Sequence, residues 1–244
     1  MSNNDELYEI YRKADDILFG TVREINKNAT FDIVKMGIPF FISELSGYIN
    51  ADIKLMIFGQ VVHTYGDSKW ESRAYGEDKN VEVGCMMDFY ESFMEEKYGG
   101  RDIFQRTVRN LVKQVGLRKP NMKIDYLWNN IIKIGLLENK NADILLRQWY
   151  EKIIKPHLNP LISQEISLLK PDYVIFFSGY KYDNYINDIF NNPQWMKIEN
   201  FEPNDFSEIA IPNVKKAFRT YHPRYLNTFH RKKEIFERII NGIE

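Results

Sequence analysis

Four short apolar or β-prone segments constrain the fold of this chain more than any other feature. They occupy residues 53–58, 124–128, 173–177 and 216–220. Successive segments begin roughly 40 to 70 residues apart, which leaves room for a helical crossover between parallel strands. A continuous apolar run is typical of a strand that is buried on both faces. The pattern therefore predicts an α/β fold, a three-layer α/β/α arrangement with a central, mainly parallel, four-stranded sheet.

Helical periodicity and capping signals fill the intervals between the predicted strands. Helices are expected over residues 5–18, 86–97, 103–115, 161–169 and 182–190. A further long helix opens near residue 141 and is interrupted by Pro156 and Pro160. Residues 195–212 predict an irregular stretch or a small extra strand. Because no repeat or linker-like change of composition is visible, we expect a single domain over residues 1–244 with an N-terminal helical extension.

Composition excludes several classes of protein. Hydrophobic residues make up 44% of the chain and the net charge is −1, so it is neither a polybasic tail nor an acidic disordered protein. Any nucleic-acid partner would have to be met by local positive charge. The single cysteine, Cys85, excludes an intramolecular disulfide and a multi-cysteine metal site, and we expect it to be a buried apolar thiol.

The N-terminal segment is polar and acidic, without the basic start and apolar centre of a secretory signal. No apolar run approaches the roughly 20 residues that are needed to cross a bilayer. We therefore expect a soluble, cytoplasmic protein with no membrane partner.

Polar residues follow the predicted strands at the edge of the sheet where ligands bind in open parallel sheets. These strand-end residues include Gly59, Gln60, Asn129, Asn130, Ser178, Gly179, Tyr221 and His222. The side-chain amides of the two asparagines offer both a donor and an acceptor, which suits the edge of a nucleobase. Capping of the following helix is an equally good interpretation for either asparagine. Together these residues predict a base-binding pocket.

His222 precedes a proline, which favours an extended backbone and fixes its approach to a ligand. A lone histidine is more often structural, but the next residues favour a functional role. Arg224, Tyr225 and Leu226 provide a cation, an aromatic ring and an apolar wedge, which suit a protein that grips a nucleic-acid backbone and enters a base stack. With Arg219, they are candidate DNA contacts. The alternative is the start of a helix that packs Leu226 inward.

In this order, the strand-end segments resemble the uracil-DNA glycosylase superfamily. The resemblance covers about residues 53–226 and is carried by Gly59-Gln60, by Asn130 with Lys133, and by the sequence RTYHPRYL around His222. It implies the α/β/α fold of that superfamily and hydrolysis of the N-glycosidic bond of uracil or another damaged base. It further implies DNA as the partner and no metal or organic cofactor.

The resemblance also implies roles for individual residues. In the family, the first motif supplies backbone contacts, the asparagine reads the base edge and the histidine stabilises charge on the leaving base. On this chain these roles fall on Gly59, Gln60, Asn130 and His222. Asn129 is the alternative register for the base-reading amide, and Leu226 falls where well-studied members place an intercalating leucine.

The chain departs from the family at Val61, where the best-known members have a catalytic aspartate. A valine can neither orient water nor stabilise a cationic sugar. Two nearby residues are candidate substitutes, His63, at the position of a methyl-excluding tyrosine, and Asp67 in the following turn. Alternatively, neither residue has a catalytic role, and His63 is a solvent-exposed loop histidine and Asp67 a turn aspartate.

Three functions therefore stay open. The first is a DNA glycosylase, and the second is a catalytically impaired protein of the same fold that binds DNA or a free nucleobase. The third is a pocket for another small metabolite, since a fold does not fix a function.

Overall fold

The computed structural model of this chain describes residues 2–28, 38–61, 82–95, 103–135, 149–228 and 231–243. Its backbone divides into two compact units. Unit 1 comprises residues 1–43, 61–93 and 132–168, and unit 2 comprises residues 44–60, 94–131 and 169–244. The single domain over residues 1–244 stays a prediction.

Helices and strands alternate along the chain. The helices of the described residues are α1 (Asn3–Asn28), α2 (Ser46–Ile49), α3 (Val83–Glu95), α4 (Ile103–Arg118), α5 (Tyr150–Leu158, a π-helix), α6 (Asn159–Leu169), α7 (Asp183–Phe190), α8 (Pro223–Leu226) and α9 (Lys232–Gly242). The strands are β1 (Ile53–Val61), β2 (Ile124–Ile132), β3 (Tyr173–Phe177), β4 (Trp195–Lys197), β5 (Phe206–Ile209) and β6 (Lys216–Thr220). A 3₁₀ turn over Tyr180–Tyr182 leads into α7.

These strands form a six-stranded sheet in the order β2-β1-β3-β6-β5-β4. β1 with β3 and β3 with β6 are parallel, whereas β5 pairs antiparallel with both β6 and β4. At the start of β1, the N–H groups of Asp52 and Ile53 donate to the Lys123 carbonyl, which directly precedes β2. Near its end, Gly59 lies against Asn130 of β2. Since β1 and β2 thus run in the same direction, the sheet is mostly parallel.

The expectation of four strands is wrong, because the sheet has six. The two additional strands, β4 and β5, lie within residues 195–212, where the sequence indicated an irregular stretch or one small strand. They contain only three and four residues. β5 pairs antiparallel with β6 in a register that sets Phe206 opposite Thr220, and β4 pairs antiparallel with β5. Pairing with the neighbouring strand, rather than their own composition, therefore stabilises them.

Side chains of the central strands alternate between two apolar layers. In unit 2, Leu55 and Ile57 of β1 and Ile175 of β3 share one core with α4 and α9. On the other face, the ring of Phe176 stacks on Phe58 with 4.7 Å between ring centroids and meets Phe190 of α7 at 6.2 Å. Helices therefore lie on both sides of the sheet, and its strands are buried on both faces.

The predicted interruption of the helix before β3 takes a particular form. Pro156 lies inside the π-helical α5, and Pro160 lies in the first turn of α6. Proline has no N–H to donate to a helical carbonyl, which disfavours a continuous α-helix at Pro156 but costs nothing in a first turn. The start expected near residue 141 lies outside the described residues.

Two further expectations concern the burial of Cys85 and membrane-spanning segments. Cys85 lies on α3 with its side chain exposed, so the prediction of a buried thiol is wrong; the buried stripe of α3 is formed by other residues of the helix, among them Met86 and Tyr90. No helix in the described part of the chain is long and apolar enough to cross a membrane.

Candidate active site

Gly59 sets the close approach of β1 and β2 near their carboxyl ends. A Cβ atom built at Gly59 would lie 2.5 Å from Oδ1 of Asn130, which is closer than real Cβ contacts. Only glycine therefore lets the Asn130 amide lie against the backbone of β1. The same Cβ atom would lie 3.4 Å from Nε1 of Trp128 and 3.5 Å from Cε2 of Phe104. Three side chains thus meet over this glycine.

Asn130 places a buried donor at this point. The residue is 1% exposed, and its Nδ2 atom has no hydrogen-bond partner within the described residues. A buried donor left unpaired costs about 1 to 3 kcal/mol. A carbonyl oxygen of a ligand would satisfy it, which makes Asn130 a candidate for recognition at this edge of the sheet.

Asn129 faces the other way, because successive residues of a strand point to opposite faces. Its Nδ2 lies 3.8 Å from Sδ of Met56, and its Oδ1 accepts a hydrogen bond of 2.8 Å from the N–H of Asn130. Both asparagines lie inside β2, so neither caps a helix. Of the two alternatives for the base-reading amide, the geometry favours Asn130. Asn129 instead points to the other face of the sheet, where its amide contacts Met56.

Gln60 links two neighbouring strand ends. The residue is half-buried, and its Nε2 donates to the carbonyl oxygen of Ser178 over 2.7 Å. Ser178 directly follows β3, so the bond joins β1 to β3 and fixes the orientation of the amide. The Oγ atom of Ser178 is buried and has no partner within the described ranges.

His222 directly precedes α8 and caps it. Its Nδ1 accepts from the N–H of Arg224 over 3.3 Å, and Pro223 occupies the first helical position. An Nδ1 atom that accepts a hydrogen bond carries no proton, so in the neutral ring the proton is on Nε2. The half-buried imidazole is thereby held in the tautomer that can donate from Nε2.

Phe104 is the neighbour that these strand ends share. Its ring centroid lies 5.9 Å from Trp128 of β2 and 6.0 Å from His222, and its edge lies beside Gly59 of β1. Gly59 and His222 therefore lie beside one aromatic ring, and Asn130 lies next to Gly59, so the three are candidates for one site. The sequence analysis did not single out Phe104, because its position on the apolar stripe of α4 is that of any core residue.

The structure describes Val61 but neither of its two candidate substitutes. Val61 is the last residue of β1 and is half-buried. His63 and Asp67 lie outside the described residues. An apolar side chain thus ends the strand at the position where the resemblance implies a carboxylate.

Arg219 is not available to DNA, which corrects its assignment as a contact. The residue is 1% exposed and forms an ion pair of 2.9 Å with Asp183. Its other donors reach the carbonyl oxygens of Pro203 and Asn204 at 2.7 and 2.8 Å, and it lies over the ring of Trp195. Burial raises the pKa of Asp183 to about 6, while the charge of Arg219 opposes that rise. The arginine joins β6 to α7 and to the loop before β5.

Leu226 is also corrected, from an intercalating wedge to a core residue. It is fully buried and belongs to the apolar core that α4 and α9 share with the sheet. The two residues before it, Arg224 and Tyr225, are exposed. The alternative that the sequence left open, a helix start that packs Leu226 inward, therefore describes the structure.

Comparison with known proteins bears on this arrangement. A family model described as the Uracil DNA glycosylase superfamily matches residues 46–243. The matched residues include Gly59, Asn130, Phe104 and His222. No curated protein matches the chain.

Proposed function

The chain belongs to the uracil DNA glycosylase superfamily, and we propose that it hydrolyses the N-glycosidic bond of uracil or another damaged base in DNA. The observation that carries the proposal is the buried Nδ2 of Asn130, which has no partner in the described part of the chain, on an amide whose Oδ1 lies against Gly59. A donor in that state fits a ligand carbonyl oxygen. Nucleobases such as uracil present carbonyl oxygens at their edge.

The target base reaches such a pocket only outside the base stack. Enzymes that act on a base rotate its nucleotide out of the duplex or take it from a single strand. In the proposed complex, Asn130 donates to a carbonyl oxygen of the extruded base, and the backbone of Gly59 and Gln60 forms the wall beside it. Phe104 supplies an aromatic surface next to this pocket.

His222 acts on the departing base. Water forms a bond to C1′ of the sugar and gives up one proton to solvent, while the bond from C1′ to the base nitrogen breaks and the bonding electrons leave with the base as an anion. The Nε2–H of His222 donates a hydrogen bond to the oxygen on which this negative charge collects. Donors aimed at charge that develops in the transition state are typically worth about 100- to 1000-fold in rate.

The other half of the reaction needs a group that orients water and stabilises the sugar cation. Val61 provides neither, and a positioned base typically contributes about 100- to 10,000-fold. We assign this role to His63 or Asp67. The second candidate function, binding of DNA or a nucleobase without hydrolysis, is favoured by Val61 itself.

Release of base from a uracil-containing oligonucleotide, with enzyme in excess, tests the proposal. We expect measurable release by the unaltered protein and a loss of about 100- to 1000-fold in the His222→Ala variant. Equal release by the two proteins, or none by either, would contradict the hydrolytic function. Saturable binding of the same oligonucleotide without release would support the second candidate.

A further inference from the structure

Two exposed pairs of an aromatic and a cationic residue follow neighbouring strands of the sheet. Tyr180 and Lys181 come after β3, and Arg224 and Tyr225 come after β6. The two tyrosines are 45% and 64% exposed, respectively. The exposed fractions of these two side chains are much larger than those of the tyrosines in the core, which are buried.

The two pairs lie at the same edge of the sheet as the candidate active site. β3 and β6 are paired through their last residues, Phe177 and Thr220. Beyond them, the N–H of Gly179 donates to the carbonyl of Thr220 over 2.8 Å. A Cβ atom built at Gly179 would lie 4.0 Å from the ring of Tyr221. The turn that carries Tyr180 and Lys181 is thus held directly against the turn that begins with Tyr221 and His222.

The turn that carries Arg224 and Tyr225 is held in place from behind. Leu226 packs into the core, and the Nδ2 atom of Asn227 donates to the Pro223 carbonyl over 2.8 Å. The side chains of Arg224 and Tyr225 therefore face outward next to His222. Such rigid presentation lowers the entropy lost when an aromatic residue engages a ligand.

The cations of the two pairs are available for an external partner. Within the described ranges, the side chains of Lys181 and Arg224 form no ion pair, whereas Arg219 and Arg231 each pair with a carboxylate. Since the net charge of the chain is −1, two unpaired cations beside the candidate site are the local positive charge that contact with phosphate requires.

This combination matches the chemistry of an unpaired strand. Every nucleobase has a π-face, and proteins that hold single strands stack those faces on aromatic side chains while cations follow the phosphates. In a duplex the same faces are already covered by neighbouring base pairs. Leu226, the apolar residue that would fill the gap left by a flipped base, is in the core.

We propose that Tyr180, Lys181, Arg224 and Tyr225 form a rim that binds single-stranded DNA beside the base pocket. The tyrosine rings stack on the bases that flank the target base, and the two cations contact the phosphates. This inference rests on the proposed function for its choice of partner, and it assigns the preferred substrate as a single strand rather than a duplex.

Binding of a fluorescently labelled, undamaged single strand, and of the same sequence as a duplex, tests the rim without requiring catalysis. We expect tighter binding of the single strand. The Tyr180→Ala and Tyr225→Ala variants should each weaken it roughly 5- to 100-fold, the range that corresponds to loss of one stacked base. The corresponding phenylalanine variants keep the ring and should bind like the unaltered protein. As a matched control, the Tyr8→Ala variant, at an exposed position of α1, should bind the single strand like the unaltered protein.

Salt dependence tests the cations. For single strands the slope of log affinity against log salt falls by roughly 0.7 for each phosphate contact that is lost, so Lys181→Ala and Arg224→Ala should each lower it by about that amount. Equal affinity for strand and duplex, or alanine variants of both tyrosines that bind normally, would overturn the rim.

The experiments distinguish failure of the proposed hydrolysis from failure of the proposed rim. Single-strand binding that depends on the tyrosines, without any base release, contradicts hydrolysis but supports the rim. Base release that is insensitive to Tyr180→Ala and Tyr225→Ala, with equal affinity for strand and duplex, supports hydrolysis but contradicts the rim.

Discussion

At the scale of single residues, the candidate site depends on the absence of a side chain at Gly59. The Asn130 amide occupies the space that a Cβ atom at residue 59 would need. The proposed recognition by Asn130 therefore depends on the glycine of the first motif. Gly59 lies within strand β1 and not in a turn, and its missing side chain leaves room for the Asn130 amide.

Replacing Gly59 by alanine should displace the Asn130 amide. Overpacking of this kind typically costs about 1 to 3 kcal/mol of unfolding free energy, and misplacement of a recognition group by about 1 Å can lower a rate about 100-fold. Gly116→Ala is the matched control, because nothing lies within 4 Å of a Cβ atom built there. Denaturant unfolding and base release measure the two effects, and a Gly59→Ala variant as active as the control would contradict the role of Asn130.

Val61 gives the second prediction at this scale. If the second candidate function holds and neither His63 nor Asp67 orients water, a carboxylate at the end of β1 should supply the missing half of the site. In that case Val61→Asp should raise the rate of base release by about 100- to 10,000-fold. Val61→Asn, which has nearly the same shape without the charge, should not raise it. Release that does not increase in the aspartate variant would mean that residue 61 does not face the reacting sugar.

At the scale of elements, the four-residue helix α8 divides its side chains between core and solvent. Leu226→Ala should lower the free energy of unfolding by about 2 to 5 kcal/mol, as truncation of a buried leucine does. Tyr225→Ala should change it by no more than about 0.5 kcal/mol, because the ring is exposed. Urea denaturation of both variants measures the contrast. A neutral Leu226→Ala would return that residue to the role of a wedge.

How far the sequence predicts the elements depends on what stabilises each one. β3 and β6 have the bounds that the sequence predicts, 173–177 and 216–220, and both strands are buried along nearly their whole length. β4 and β5 are too short to show a pattern, and they form only by pairing, β5 with β6 and β4 with β5. β2 continues past its apolar run through Asn129 and Asn130. The amide of Asn129 packs on Met56, and the amide of Asn130 fits beside Gly59.

The same distinction applies to the site. The rule that ligands lie at the carboxyl ends of parallel strands predicts one site for Gly59, Asn130 and His222, and in the structure Gly59 and His222 both lie beside Phe104, with Asn130 next to Gly59. Arg219 and Leu226 were misassigned because their surroundings come from distant residues, Asp183 in the case of the arginine and α4 in the case of the leucine. No local pattern separates a buried arginine with a carboxylate partner from an exposed one.

At the scale of the whole chain, residues before the family match contribute to a buried polar network in unit 1. Lys133 and Glu165 form a fully buried ion pair of 2.8 Å. The hydroxyl of Tyr11, on α1, donates to the same carboxylate, and the ammonium of Lys133 donates to the carbonyl of Phe40. Burial lowers the pKa of Lys133 and the charge of Glu165 opposes this. Tyr11 and Phe40 lie before residue 46, where the family match begins.

The N-terminal helix should therefore stabilise unit 1 through this network and not only through apolar packing. Tyr11→Phe keeps the ring, which stacks on Phe41 with 4.4 Å between ring centroids, but removes a hydrogen bond to a charged group. Such a bond is worth about 1.5 to 3 kcal/mol. Tyr8→Phe, at an exposed position of the same helix, is the matched control and should leave the free energy of unfolding unchanged.

Removal of one charged partner should have a larger effect than removal of the hydroxyl. Glu165→Gln leaves the ammonium of Lys133 buried without its carboxylate, which typically costs about 3 to 5 kcal/mol, whereas replacing both partners by apolar residues of similar volume is often neutral. We therefore expect Glu165→Gln to unfold at much lower urea concentration than Tyr11→Phe, and the double variant Lys133→Met, Glu165→Leu to recover most of the loss. If Tyr11→Phe and Glu165→Gln unfold like the unaltered protein, the network contributes nothing and α1 is held by apolar contacts alone.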